Sequence, residues 1–219
     1  MEGRSVWTRN AVRGSSVRGE RRKKDGRIEW RKWDAYRSKV AAAMLRTQGN
    51  PEELLPRTGS ICLYLGASSG GTVSHIHDIV CGSGNHHSGK VVAVEISPRM
   101  ARDLVSVSSK RAGLFPVLGD ARNFSHFSPF LSGKVDWIHQ DLSMPDQAKN
   151  FVKTSEFFLR SGGIGLLSLK AASERASDGD DDSRFDKAHK IISTSKLKLI
   201  ERIDLSGLED QHVVFYCRR

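Results

Sequence analysis

The chain has 219 residues, a formal net charge of +10 and 38% hydrophobic residues. That length suits one domain of ordinary size with room for a small appendage, and it can bury a real core. No apolar run approaches the ~20 residues of a membrane span and the first residues lack a signal-peptide core, so the expectation is a soluble intracellular protein with no membrane partner.

The charge is concentrated at one end. Residues 1–40 hold thirteen Lys/Arg against five Asp/Glu, which supplies eight of the ten net charges. A basic terminus is either a solvated arm or a footprint for a polyanion, nucleic acid above all. Trp7, Trp30, Trp33 and Tyr36 lie among these cations and favour an ordered basic surface. Residues 4–33 read as short strands, with 20–24 and 27–31 forming a hairpin about an Asp25-Gly26 turn. Tyr36 to Arg46 predicts a helix with Val40, Ala41, Ala43 and Met44 on its apolar side. Gly49-Asn50-Pro51 and Pro56-Arg57-Thr58-Gly59 then punctuate the passage onward. The expected division is a small basic β region over 1–35 and a main domain over 36–219.

Within the main domain the alternation is regular. Strands are predicted at 61–65, 90–96, 115–118, 135–140 and 163–169, with helices at 72–81, 98–112 and 146–160 between them. A helix near 184–195 precedes strands at about 197–204 and 212–217. Strands alternating with helices imply a parallel sheet built by right-handed crossovers. Ser206 to Gln211 is too short for a crossover, so the last two strands should form an antiparallel hairpin. The expected fold is therefore α/β and Rossmann-like, a seven-stranded sheet with a terminal antiparallel hairpin. By analogy this is the arrangement of the class I S-adenosylmethionine-dependent methyltransferases.

The stretch Ile61 to His75 organises the domain: five mostly apolar residues run into a small-residue turn and then a helix. Gly66, Gly70 and Gly71 leave room for a ligand against the backbone, and Thr72 or Ser74 could cap the helix. The same residues, Gly66-Ala67-Ser68-Ser69-Gly70, also fit a hydrolase nucleophile elbow, with Asp141 and His212 as nominal partners of Ser68. Such hydrolases have several strands before the elbow and a His-Gly-Gly-Gly oxyanion segment, both missing here. In an open α/β sheet, ligands bind outside the carboxyl ends of the strands. Those ends carry the glycine-rich turn, Glu95, Asp120-Ala121, Asp141 and Lys170 in succession. Glu95 is placed for ribose hydroxyls and Asp120 for an exocyclic amine. The acidic run Asp178 to Asp182 lacks calcium-loop spacing and reads as a mobile solvated loop. His75, His77, His86 and His87 lack the helical spacing of zinc ligands, so no metal is expected. Cys62, Cys81 and Cys217 lack it too; two of them lie in apolar runs, and the reading is free thiols of a reducing compartment, two serving as core filler.

Several motifs together resemble the fibrillarin family. They are Arg37-Ser38-Lys39-Val40-Ala41-Ala42-Ala43, the run from Tyr64 to His75, Asp120-Ala121-Arg122 and Pro145-Asp146-Gln147. Phe158 to Gly163, Leu169-Lys170 and Asp210-Gln211-His212-Val213-Val214 complete the set, in the family's order and over nearly the whole chain from about residue 7. The resemblance implies an S-adenosylmethionine-dependent RNA 2′-O-ribose methyltransferase guided by box C/D RNA, acting on rRNA and tRNA. It also implies a catalytic tetrad of Lys39, Asp141, Lys170 and His212. A ribose hydroxyl needs a base more than a Lewis acid, because the sulfonium methyl is already activated. A lysine serves as base only when burial or a neighbouring cation destabilises its ammonium form. Lys170 is then the expected base, Lys39 the neighbouring cation, Asp141 the carboxylate holding the amine, and His212 an orienting group.

The cofactor contacts implied by the resemblance are Gly66, Ala67, Gly71 and Thr72 at the turn, Glu95 and Ile96 at the ribose, Asp120 and Ala121 at the adenine, and Asp141, Leu142, Ser143 and Met144 closing the pocket. The implied partners are guide and target RNA, a Nop-domain scaffold protein and a kink-turn-binding ribosomal-type protein. The family usually has two threonines where this chain has Gly71-Thr72, an aromatic residue in place of Ile96, Trp-Asn-Pro-aromatic in place of Trp33-Asp34-Ala35-Tyr36, and Val-Ala-Gln in place of Leu142-Ser143-Met144. These departures leave open a mainly structural ribonucleoprotein subunit, and the family's likeness to a glutamine methylase acting on histone leaves open a protein glutamine methyltransferase. The shorter N-terminal β region and missing Gly/Arg-rich tail suggest a cytoplasmic archaeal protein, with the nucleolus as the location in a eukaryote.

Overall fold

Runs such as Ile61–Leu65, Lys90–Glu95 and Val135–Asp141 are rich in aliphatic and β-branched residues, and burial on both faces makes them central strands. The computed structural model describes residues 5–174 and 180–219. Three strands, β1 (Val6–Arg9), β2 (Arg22–Asp25) and β3 (Ile28–Trp33), form a small antiparallel sheet in the order β1-β3-β2. Helix α1 (Lys39–Arg46) leads to β4 (Ile61–Leu65), α2 (Gly71–Val80), β5 (Lys90–Glu95), α3 (Pro98–Ser108) and β6 (Leu114–Leu118). After these come β7 (Val135–Asp141), α4 (Gln147–Phe158), β8 (Leu159–Lys170), α5 (Asp181–Ser193), β9 (Lys198–Asp204) and β10 (His212–Arg218).

The main sheet has seven strands in the order β6-β5-β4-β7-β8-β10-β9. Strands β4 to β8 are parallel, and β10 runs antiparallel between β8 and β9. This is the expected α/β methyltransferase fold with its terminal hairpin. Strand order reverses between β4 and β7, so the crevice for a ligand opens at their carboxyl ends. Alternation divides the core. Cys62, Tyr64 and Trp137 pack with α1, α2 and Leu104 of α3 on one face, whereas Leu63, Leu65 and Ile138 pack with α4 and α5 on the other. No helix among the described residues is long and apolar enough to cross a membrane.

The differences from expectation have local causes. The hairpin turn is Gly26-Arg27 rather than Asp25-Gly26, because Asp25 pairs with Ile28 and closes the ladder. Helix α1 starts at Lys39 rather than Tyr36, because the Ser38 hydroxyl caps it by accepting from the Ala41 amide. Neither Thr72 nor Ser74 caps α2: its N-cap is Gly70, Thr72 donates to Ser38 Oγ at 3.0 Å, and Ser74 donates to the Gly71 carbonyl. Strand β8 begins at Leu159, inside the predicted helix, through a register shift against β7. Asp178 and Gly179 of the acidic run lie outside the described residues, but Asp180 caps α5 and Asp181 and Asp182 form its first turn. All three cysteines are buried and unbridged, rather than two.

The small sheet is bolted to α2 by a buried ion pair. The fully buried Arg31 donates from Nε and Nη2 to Asp78 Oδ2 at 3.0 and 2.7 Å, from Nη2 to Ser74 Oγ, and from Nη1 to Glu20. His75 stacks on Trp33 at 4.9 Å and bonds through Nδ1 to Thr8 Oγ1 at 2.7 Å. His77 meets the Ala112 carbonyl at 2.9 Å, so both α2 histidines serve packing. Removing one partner of a buried pair strands the other charge. Arg31→Ala should therefore lose about 3–5 kcal/mol of stability in urea unfolding, and Asp78→Asn introduced into that variant should recover part of the loss.

Candidate active site

Side-chain alternation gathers the four tetrad positions. On β7, Trp137, His139 and Asp141 point to the α1 side; on β8, Leu166, Ser168 and Lys170 do; on β10, Val214 and His212 do. Lys170 and His212 are directly opposite each other in the β8–β10 ladder, and Asp141 lies opposite Ser168, two residues before Lys170. Lys39 is the first residue of α1 and reaches the same edge, where its Nζ donates to Asp141 Oδ2 at 3.0 Å. Asp141 thus holds Lys39, whereas the sequence had assigned it to the amine of Lys170. Lys170 is exposed and makes no hydrogen bond or ion pair among the described residues. His212 is buried, and its Nδ1 lies 2.7 Å from the Asp210 carbonyl. A carbonyl only accepts, so Nδ1 carries a proton and donates it, which fixes the ring with Nε2 on its far side.

Two clefts meet at Gly66, Ser68 and Asp141. One, of about 550 Å³, is walled by Glu95, Ile96, Met100, Asp120, Ala121 and the 142–145 segment. The other, of about 480 Å³, is walled by Lys39, Thr72, Gly71, Trp33, Arg37 and the 18–21 loop. All twelve of the expected cofactor contacts therefore border one or both clefts. Glu95 is anchored by the amides of Ser68 and Ser97 at 2.7 and 2.8 Å, one on each oxygen, and each oxygen keeps a further lone pair for a ligand hydroxyl. Asp120 is engaged by Arg122, whose Nε lies 3.0 and 2.9 Å from its two oxygens. Those hydrogen bonds hold its carboxyl below the usual carboxylate range. Ile96 is 60% exposed and presents an apolar wall to the cleft. The amides of the first turn of α2, whose Gly70 cap contributes no side chain, suit a negatively charged group. Together these walls suit a nucleoside ligand with a charged tail.

Gly66 explains why the turn and the carboxylate are contiguous. Its φ is +84°, and a Cβ there would come within 1.9 Å of the Asp141 carbonyl oxygen. Only glycine fits between β4 and β7 at this point. Among the described residues the Ser68 hydroxyl makes no hydrogen bond to a histidine or carboxylate and its amide serves Glu95, which speaks against the hydrolase reading.

Sequence reasoning missed the layer beneath the site. His139 bonds through Nε2 to Ser168 Oγ at 2.8 Å and packs edge-on to Tyr64 at 4.6 Å. The period of two along β7 signals His139, but nothing in the sequence links it to Ser168. Burial pushes His139 down from the ordinary 6.5 to about 4, with the Asp141 charge opposing and Lys39 reinforcing that shift. Burial first, and the Asp141 charge second, raises Tyr64 well above the ordinary tyrosine value. Between pH 6.5 and 4 the unfolded chain binds a proton at residue 139 that the native chain refuses, so stability falls as pH falls through that window. His75, also depressed by burial, adds in the same direction. His139→Gln should reduce the loss of unfolding free energy between pH 6.5 and 5 by about 1–2 kcal/mol, measured by urea titration at each pH.

The Fibrillarin family model matches residues 1–219. The rRNA 2′-O-methyltransferase fibrillarin of Drosophila erecta is 40% identical over 214 residues, covering 96% of this chain and 59% of the fly protein, so the chain spans under two thirds of that relative. The fibrillarin-like rRNA/tRNA 2′-O-methyltransferase of Thermococcus onnurineus is 37% identical over 98% of this chain and 90% of its own length. Among solved structures, Methanococcus jannaschii fibrillarin superposes with a TM-score of 0.86 at 32% identity, covering 98% of this chain and 88% of its own. Aeropyrum pernix fibrillarin with natively bound S-adenosyl-L-methionine gives 0.82 at 34% identity, covering 97% and 88%. A fibrillarin/Nop5p complex gives 0.81 at 30% identity, covering 95% and 92%. This chain belongs to the fibrillarin family.

Proposed function

We propose that this chain is an S-adenosylmethionine-dependent RNA 2′-O-ribose methyltransferase, guided by box C/D RNA and acting on rRNA and tRNA. The observation that carries the reading is the convergence of Lys39, Asp141, Lys170 and His212 on one face of three adjacent strand ends, beside clefts suited to a nucleoside with a charged tail. When bound, the donor supplies a methyl group on a sulfonium, which needs no further electrophilic activation. Lys170, as the base, takes the proton of the ribose hydroxyl as that oxygen bonds to the methyl carbon, while the methyl–sulfur bond breaks with its electron pair left on sulfur and a neutral thioether departs. Asp141 fixes Lys39 beside the reacting centre, and the His212 ring, held at Nδ1 by the Asp210 carbonyl, orients the ribose through Nε2. Gly66, Ala67, Gly71 and Thr72 bind the donor along the turn, Glu95 and Ile96 take the ribose side, and Asp120 and Ala121 the base.

The target strand approaches from the side where Arg37 and the exposed Tyr36 flank Lys39. The ordered basic sheet β1–β3 extends that surface, with Lys23 lying over the Trp7 ring at 4.8 Å. The assembly proposed around it contains the guide RNA, a Nop-domain scaffold protein and a kink-turn-binding ribosomal-type protein; the Nop5p complex of a similar chain supports the scaffold. Sequence choice is assigned to guide pairing.

The decisive experiment is methyl transfer on guided RNA, with and without the scaffold, alongside calorimetric titration with S-adenosylhomocysteine. Lys170→Ala should slow transfer by roughly a hundredfold or more while leaving ligand binding intact. A wild-type chain that binds neither donor nor product would point to a structural subunit instead, and a near-wild-type rate for Lys170→Ala would remove Lys170 from the role of base.

A further inference from the structure

The loop between β1 and β2 brings a cation to a place that none of the four tetrad residues occupies. The backbone amides of Val17 and Arg18 donate to the Glu20 carboxylate at 2.9 and 2.7 Å. Glu20 in turn accepts from Arg31, which is fixed to Ser74 and Asp78 of α2. The loop is therefore tied to the same helix whose first turn borders the cleft. Arg18 extends across that turn: its Nη1 donates to Ser69 Oγ, and its Cγ lies 3.6 Å from where a Cβ on Gly71 would stand. The rest of the guanidinium fork makes no hydrogen bond among the described residues.

The charge arrangement around this fork selects an anion. The first intrahelical bond of α2 runs from the Ser74 amide to the Gly70 carbonyl, so the Gly71, Thr72 and Val73 amides face outward along the helix axis. A guanidinium fork and a bare helix N-terminus at one cleft wall both favour a carboxylate. On the proposed function, the adenosine portion of the donor occupies the cleft walled by Glu95, Ile96 and Asp120, and its sulfur lies where the two clefts meet beside Asp141. Its amino-acid end then extends along the turn toward Gly71. We propose that Arg18 binds the carboxylate of the methyl donor and of its thioether product, together with the α2 amides. It is a positioning residue: it fixes the end of the donor remote from the methyl group and so the direction in which that group points. The N-terminal sheet thereby completes the cofactor site.

This inference rests on the methyltransferase reading, and calorimetry on the intact chain separates the two. The probes are S-adenosylhomocysteine and 5′-methylthioadenosine, which shares the adenosine and thioether but has no amino-acid end. Arg18→Ala should weaken S-adenosylhomocysteine binding roughly tenfold or more and leave 5′-methylthioadenosine within about twofold. Arg18→Lys should recover part of the difference. The 5′-methylthioadenosine titration also reports that the variant is folded. Equal weakening of both ligands, or of neither, would overturn the assignment of Arg18 while leaving the methyltransferase reading in place. A wild-type chain that binds neither probe would overturn the donor site itself.

Discussion

The contact between Gly66 and the Asp141 carbonyl is the constraint from which the site follows. Strands β4 and β7 are the neighbours at which strand order reverses, and their carboxyl ends must close together without a side chain between them. A left-handed glycine satisfies that demand and turns the chain away along the crevice. Because the approach is so close, the turn that would hold a donor and the carboxylate at the end of β7 are a single wall. A ligand lying on the turn is automatically beside Asp141. The crevice belongs to the fold, and the residues that border it give it a chemistry.

Alternation does the rest. Asp141, Lys170 and His212 lie at the ends of three adjacent strands and share a face because each strand places every second residue there. The face they share is the one covered by α1, so the first residue of that helix, Lys39, is delivered to Asp141. The layer directly beneath is polar as well: His139 and Ser168 bond to each other, and Tyr64 packs on the imidazole. Burial keeps His139 neutral near pH 7, so the support beneath the ion pair adds hydrogen bonds and no charge. A protonated imidazole there would compete with Lys39 for Asp141.

The sheet, its hairpin and the strand-end residues were legible in the sequence because they depend on local patterns. Val91 to Val94 is apolar without interruption, and the seven residues 205–211 between the last two strands admit only a hairpin. Boundaries slipped where one hydrogen bond decided them, as with the Ser38 cap that starts α1 and the Asp25–Ile28 pair that moves the turn. The contacts that make the site work join residues far apart in the chain. Lys39 and Asp141 are 102 positions apart, Arg18 and Ser69 are 51, and Arg31 and Asp78 are 47. No periodicity reports such pairs. The resemblance to fibrillarins supplied the four expected tetrad positions, and the structure pairs Asp141 with Lys39 rather than Lys170, since a motif does not say which neighbour a carboxylate meets.

Charge left residues 1–40 readable as a solvated arm or a footprint for a polyanion, and the structure divides their cations by burial. Arg31 points inward, where its guanidinium is fully buried and matched by Asp78, Ser74 and Glu20. A cation so placed has no part in attracting a polyanion; its work is to fix the sheet on α2. Arg22, Lys24 and Arg27 are exposed along the edge strand β2 and its turn and can meet phosphate. Glu20 links the two sides, since one end of its environment is the buried Arg31 and the other is the loop that carries Arg18 over the turn. The small sheet is thus rigidly registered to the helix that starts at the cleft. Net charge, a property of the surface, could not separate the cation that anchors from the cations that attract; burial does.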